Sequence, residues 1–162
     1  MPVDSIIHSI DSETFAEFCA QRDAKNTIQL NVTKWCYMLC DALRQNYIKY
    51  SIESHGNAIY HADAGDVRSV RYHEACIEEL KNGQCDYEFI VESARKYHKI
   101  IMETDSGSRS VHAFVDKKTG EVYKPASFKA PAKIVRFNLC LIKDREWLLE
   151  NADWAGGYLY VR

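Results

Sequence analysis

The residues whose types and spacing are best suited to chemistry lie between Arg109 and Arg136. In Tyr123-Lys124-Pro125-Ala126-Ser127-Phe128-Lys129-Ala130-Pro131-Ala132-Lys133, three lysines are separated by small residues, two prolines and an aromatic, and Arg136 follows. Lysines on a pre-ordered segment meet phosphate oxygens at low entropic cost, and an exposed Tyr123 or Phe128 can stack on a base or fill a pocket. Arg109, Tyr123, Lys124, Phe128, Lys129, Lys133 and Arg136 are therefore the candidate ligand-binding set, for nucleic acid or another phosphate-rich ligand. From Arg109 to Arg136 there are seven basic residues against two acidic ones, a net of +5 in a chain of net charge −2, which leaves −7 for the remainder. A basic segment on an acidic background has a field of its own. The plainer alternative is that hairpin lysines keep a sheet edge soluble and that Phe128 anchors the loop in the core.

Other constellations are weaker. Cys36 and Cys40, four apart, and His73 and Cys76, three apart, each share a helical face and would together suit tetrahedral zinc, but neither pair has the Cys-x-x-Cys knuckle and both lie on apolar faces. His61-Ala62-Asp63 with nearby Asp66 outlines a metal-assisted phosphatase without any nucleophile elbow. His98 and His112 are expected to face each other across a meander. A two-histidine phosphoesterase would want a hydroxyl residue two positions after each, where Ile100 and Phe114 stand. Glu103 and Asp105 are two acids near one strand end, and Gly156-Gly157 precedes a short strand rather than a helix. No catalytic residue, metal or cofactor is assigned, and a small metal-dependent hydrolase is the least favoured reading.

The elements that position these residues follow from periodicity. With 162 residues, 46% apolar and 27% charged, the chain reads as one domain over 1–162 that can bury a core unaided. Six dispersed cysteines read as reduced, and the start Met1-Pro2-Val3-Asp4 has no signal-like n-region and no membrane-length apolar run follows, so a cytosolic protein with no membrane partner is expected. A first helix is expected from Asp11 or Ser12 to Arg22, with Phe15, Phe18 and Cys19 on one face, followed by a polar connection over Asp23–Asn26. A second runs from about Val32 to Ile48, with Val32, Trp35, Cys36, Leu39, Leu43 and Tyr47 at helical spacing. Residues 50–65 read as a loop or short hairpin. Asp66 is the expected N-cap of a third helix to about Lys81, facing inward with Val70, His73, Ile77 and Leu80, and Asn82-Gly83 is its stop.

In the second half the period becomes two. Tyr87, Phe89 and Val91 alternate with polar neighbours, Lys96–Thr104 makes a second strand, and Arg109–Val115 a third with Val111, Ala113 and Val115 inward. Asp116-Lys117-Lys118-Thr119-Gly120 suits a type I turn closed by a left-handed glycine. Pro125 and Pro131 make residues 124–133 an exposed, stiff loop, because each removes an amide donor. Ile134–Ile142 follows as a strand, Asp144 caps a short helix bearing Trp147 and Leu148, and Tyr158–Arg162 adds a terminal strand. The fold class is α+β, with N-terminal helices packed on an antiparallel β-meander.

The stretches Ser110–Asp116 and Thr119–Lys133, with Trp154-Ala155-Gly156-Gly157-Tyr158-Leu159-Tyr160 at the end, resemble segments of small uncharacterised tailed-bacteriophage proteins. Phe128 stands where that family is expected to have Trp, and Ile134 where it is expected to have Gly. The resemblance implies phage origin and brings no catalytic residues with it; the expected role is a phage accessory binding protein working in the host cytoplasm, with a virion component as the alternative. A different class of reading is a protein–protein module, an inhibitor of a host protein or a virion component, whose aromatics Trp147, Trp154, Tyr158 and Tyr160 meet a host or phage partner.

Overall fold

The computed structural model describes residues 12–160. Where two N-terminal helices with a polar connection were expected, one helix, α1, runs over Ser12–Tyr60, 49 residues long. Asp23–Asn26 contain no breaker, and residues such as Asp and Asn cost a helix interior at most about 0.7 kcal/mol each. Thr27 and Thr33 fit the helix by donating their hydroxyls to the carbonyls four residues back, Asp23 and Gln29. The proposed cap at Asp11 lies outside the described residues.

The expected loop over 50–65 is also helical as far as Tyr60, with Gly56 inside it. Packing decides this. Ser51 is buried against the second helix, and His55 Nδ1 lies 2.8 Å from His73 Nδ1 on that helix. α2, Val67–Lys81, begins where expected, with Asp66 accepting from the Ser69 amide, and stops at Asn82 and Gly83, whose φ is +83°.

Five strands follow: β1 (Tyr87–Ser93), β2 (Tyr97–Thr104), β3 (Arg109–Asp116), β4 (Glu121–Pro125) and β5 (Pro131–Asn138). They form one antiparallel sheet in sequence order. The chain is therefore α+β, a meander backed by helices. The core lies between the α1 seam of Val32, Cys36, Leu39, Cys40 and Leu43 and the sheet residues Phe89, Ile100, Ala113, Val115 and Val122. α3, Ile142–Asn151, adds Leu148 from below, and a 3-10 turn over Gly157–Leu159 adds Leu159.

Three expectations in this half are corrected. The proline segment is no open loop: Pro125 ends β4, Pro131 starts β5, and the two are cross-strand neighbours. Each sits at a strand terminus, and β5 is an edge strand, so the missing amides leave no ladder partner unmet. Asp144 does not cap α3; Leu141 precedes that helix without a side-chain cap, and the Asp144 carboxylate instead accepts from the Asn138 amide at 2.8 Å. The expected terminal strand is, within the described residues, the 3-10 turn, because Gly156 turns the chain at φ +83°.

Candidate ligand-binding surface

The β3–β4 hairpin is built as its sequence implies. Asp116 is buried, and its carboxylate accepts from the amides of Lys118 at 2.8 Å and Thr119 at 3.1 Å. Gly120, at φ +75°, donates to the Asp116 carbonyl. The second hairpin, β4–β5, is as tight. The amides of Ala126 and Ser127 donate to the Ala130 carbonyl, and Ser127 Oγ accepts from the amides of Lys129 and Ala130.

This framework divides the seven candidate residues. Phe128 stands at the tip of the second hairpin, 44% exposed. Lys99, which no sequence signal singled out, donates its ammonium to the Phe128 carbonyl at 2.9 Å and lies 4.8 Å from the centre of the Phe128 ring. Lys124 points to the other side of Pro125, its ammonium 4.5 Å from the centre of the Tyr160 ring. Lys129 and Lys133 are exposed and line neither of the two concavities at this end of the sheet.

Two candidates serve the fold instead. Arg136 donates to the carbonyls of Leu159 and Ile134 at 2.6 and 2.7 Å, which ties β5 to the C-terminal turn. Tyr123 donates its hydroxyl to Glu121 at 2.6 Å, and that carboxylate holds the phenol well above its ordinary range. Arg109 is paired with Glu92 and with Glu103, so its charge is offset.

Two concavities remain, and they adjoin. One, of about 340 Å³, is walled by Lys124, His112, Trp154 and Tyr160; the other, of about 300 Å³, by Arg109, Ser127 and Phe128. Ser110, Val111 and Pro125 line both. Lys124, Arg109 and Phe128 thus share one continuous surface at one end of the sheet. The first concavity is lined from β3 by Ser110 to His112, from β4 by Lys124 and Pro125, and from the C-terminal segment between Trp154 and Tyr160.

His112 reaches this surface through an irregularity. Opposite β2, Val111 pairs with Ile101 and Ala113 with Ile100, so His112 is an extra, bulged residue. Its Nε2 lies 2.7 Å from the Tyr158 hydroxyl, and its ring meets Phe89 edge-on. Burial pushes its pKa down to about 4, against an opposing pull from Asp153, so the ring is neutral at pH 7. Burial drives the Tyr158 phenol upward.

His98 and His112 do not face each other. His98 lies opposite Val115, with Nδ1 2.8 Å from Ser93 Oγ and Nε2 3.2 Å from Thr33 Oγ1. Thr33 already donates its one proton to Gln29, so it accepts from His98 Nε2–H, and Ser93 in turn donates to Nδ1. Burial and the charge of Lys117 lower the His98 pKa.

Of the three sulfur ligands of the zinc reading, two are core residues, whereas Cys76 is half-buried on α2. Cys36 and Cys40 are buried against the sheet, where burial pushes both thiols up to about 12. Among the described residues, no three His, Cys, Asp or Glu side chains come together as a metal site. A further concavity, about 500 Å³ between α1, α2 and β1, has Glu79, Asp86 and Asp105 in its lining and, among the described residues, no Lys or Arg, which makes it hostile to phosphate. The C-terminal aromatics are split: Tyr158 is half-buried against the core, Trp154 stacks with Tyr87 at 5.9 Å, and Trp147 and Tyr160 are exposed. No described helix is long and apolar enough to cross a membrane.

Fold and surface together define a helix-backed five-stranded meander with a paired cationic and aromatic cleft at one sheet end. Residues 15–161 match the model of a family of unknown function (DUF7717), and the chain belongs to that family. Comparisons with curated proteins and with solved structures gave no match.

Proposed function

We propose that this is a phage accessory protein of the host cytoplasm that binds nucleic acid, in single-stranded form, without catalysis. The observation that supports it is the adjoining pair of concavities, in which two exposed aromatics each have a lysine over the ring, Tyr160 with Lys124 and Phe128 with Lys99. Single strands are held in this way, with bases stacked on aromatic faces and phosphates on nearby cations. Such a site tolerates sequence because every base has a π-face.

Fluorescence anisotropy with short DNA and RNA strands at low and moderate salt tests the proposal. Binding should weaken as salt rises, and Phe128→Ala should weaken it by about tenfold, the order of one lost stacking contact. Absence of salt-sensitive binding, or unchanged binding after reversing the charges of Lys124, Lys129 and Lys133, would sink the reading.

A second reading has its own observation. β5 is an edge strand, and Ile134 and Val135 on it are exposed together with Leu141, Ile142 and Trp147 beside it. An apolar edge of this kind suits a host or phage protein that adds a strand. Affinity purification from infected cells, with and without nuclease, separates the two: a specific protein retained after nuclease favours the edge.

A further inference from the structure

The N-terminal part of α1 extends past the sheet. From Thr14 to Asn31 nearly every side chain is exposed, whereas Val32, Cys36, Leu39 and Leu43 are fully buried. The buried seam nevertheless continues outward at the same three- and four-residue spacing, as Gln29, Lys25, Gln21 and Phe18. Where the sheet ends, the seam changes from apolar to amide-bearing and cationic.

Lys118 approaches this seam from the β3–β4 turn. With Phe18, Gln21, Arg22, Lys25 and Gln29 it lines a notch of about 340 Å³. A smaller hollow of about 200 Å³ has Lys25 and Lys118 in its lining again. The turn that presents Lys118 is rigid, since Asp116 holds its amides and the Lys117 amide donates to the Lys96 carbonyl of the neighbouring turn.

Three cations thus line one concavity, and among the described residues no carboxylate lines it. Among the described residues, none of the three has a carboxylate within ion-pair distance; the ion pairs present involve only Arg44 and Arg109. Asp23 adjoins Arg22, about 100° around the helix from it and about 200° from Lys25, and does not line the notch; Asp116, two positions before Lys118, has its carboxylate engaged by the amides of Lys118 and Thr119. Like charges gathered without a counter-charge raise the local potential and attract an anion. The side-chain amides of Gln21 and Gln29 add donors that suit several oxygens at once.

We propose that this notch, at the opposite end of the sheet from the aromatic cleft, is a phosphate-binding site that holds the backbone of a nucleic acid. It rests on the nucleic-acid reading for the source of the phosphate, but on separate residues. The eight residues of β3 separate the two ends by about 25 Å at 3.3 Å per residue, so one strand would lie along the molecule and touch both.

The test is an NMR titration of the full chain, following the side-chain amides of Gln21 and Gln29 and the backbone amides of Ser127 and Phe128. The probes are inorganic tripolyphosphate, a 20-nucleotide oligothymidylate and a poly-glutamate peptide. Saturable shifts at Gln21 and Gln29 with tripolyphosphate and oligothymidylate, lost in Lys25→Glu/Lys118→Glu, are expected. Both substituted positions are exposed, so the core is untouched. The same variant should lower the salt slope of oligothymidylate binding by about 1.4, at about 0.7 per lost phosphate contact. No shift at Gln21 and Gln29, a response to tripolyphosphate but not to oligothymidylate, or an equal response to poly-glutamate overturns the proposal. Shifts at the notch without shifts at Ser127 and Phe128 would instead remove the aromatic cleft and leave the notch standing.

Discussion

His112 makes stability depend on pH in a way that can be calculated. Its ring is buried, bonded to Tyr158, and holds its proton only below about pH 4, whereas an imidazole in the unfolded chain titrates near 6.5. Between those values the unfolded chain binds a proton that the folded chain refuses, so stability falls as pH falls through the window. Below about 4 both states are protonated at this site and the contribution is level again; above 6.5 both are neutral. At about 1.4 kcal/mol per pKa unit, the full loss is about 3 kcal/mol.

Urea unfolding of wild type and His112→Gln at several pH values from 7.5 to about 4 measures it. His98, whose pKa is also lowered, contributes with the same sign in both proteins, so the difference between their curves isolates His112. The variant should be less stable at pH 7.5, because it gives up the Tyr158 bond and the ring packing. Its loss on acidification should nevertheless be smaller by about 3 kcal/mol. Curves that stay parallel to within about 0.5 kcal/mol would show that the imidazole is not held neutral, and the reasoning from burial would fail.

Two further outcomes test the framework. Gly120→Ala should destabilise by at least about 2 kcal/mol in thermal unfolding, because a left-handed alanine is itself unfavourable and its Cβ would stand 2.9 Å from Cys140 Sγ. Alkylation followed by mass spectrometry should modify exposed Cys140 in the native protein and reach buried Cys36 and Cys40 only on unfolding; equal native rates would contradict the core as described.

Features that depend on a few neighbouring residues were legible. The Asp116–Gly120 turn needs an acceptor at its first position and a glycine at its last, and the start of α2 needs Asp66; neither requires knowledge of the rest of the molecule. The seam of Val32, Cys36, Leu39 and Leu43 and the alternation of β1 likewise announced which faces would be buried; in β3 Ala113 and Val115 joined the core as expected, but His112, Phe114 and Asp116 are buried too and Val111 is only half-buried. The continuity of α1 was hidden for a related reason. Beyond the sheet no apolar face among the described residues covers the seam, so Lys25 and Gln29 replace apolar residues and imitate a connection.

The candidate site was legible as a segment but not as a surface. Sequence alone determined that cations and aromatics gather between Arg109 and Arg136, that a hairpin turn and a stiff proline segment carry them, and that their charge opposes that of the remaining chain. Tertiary structure decided which of those charges is still available to a ligand: Arg136 is spent on the carbonyls of Leu159 and Ile134 and Arg109 on Glu92 and Glu103, while Lys124 keeps only an aromatic neighbour. It also brought Lys118 to Lys25 across more than half the chain's length. The physical reason is that a charge's identity is local, whereas the partners that neutralise it, or leave it free, come from wherever the fold brings the chain back.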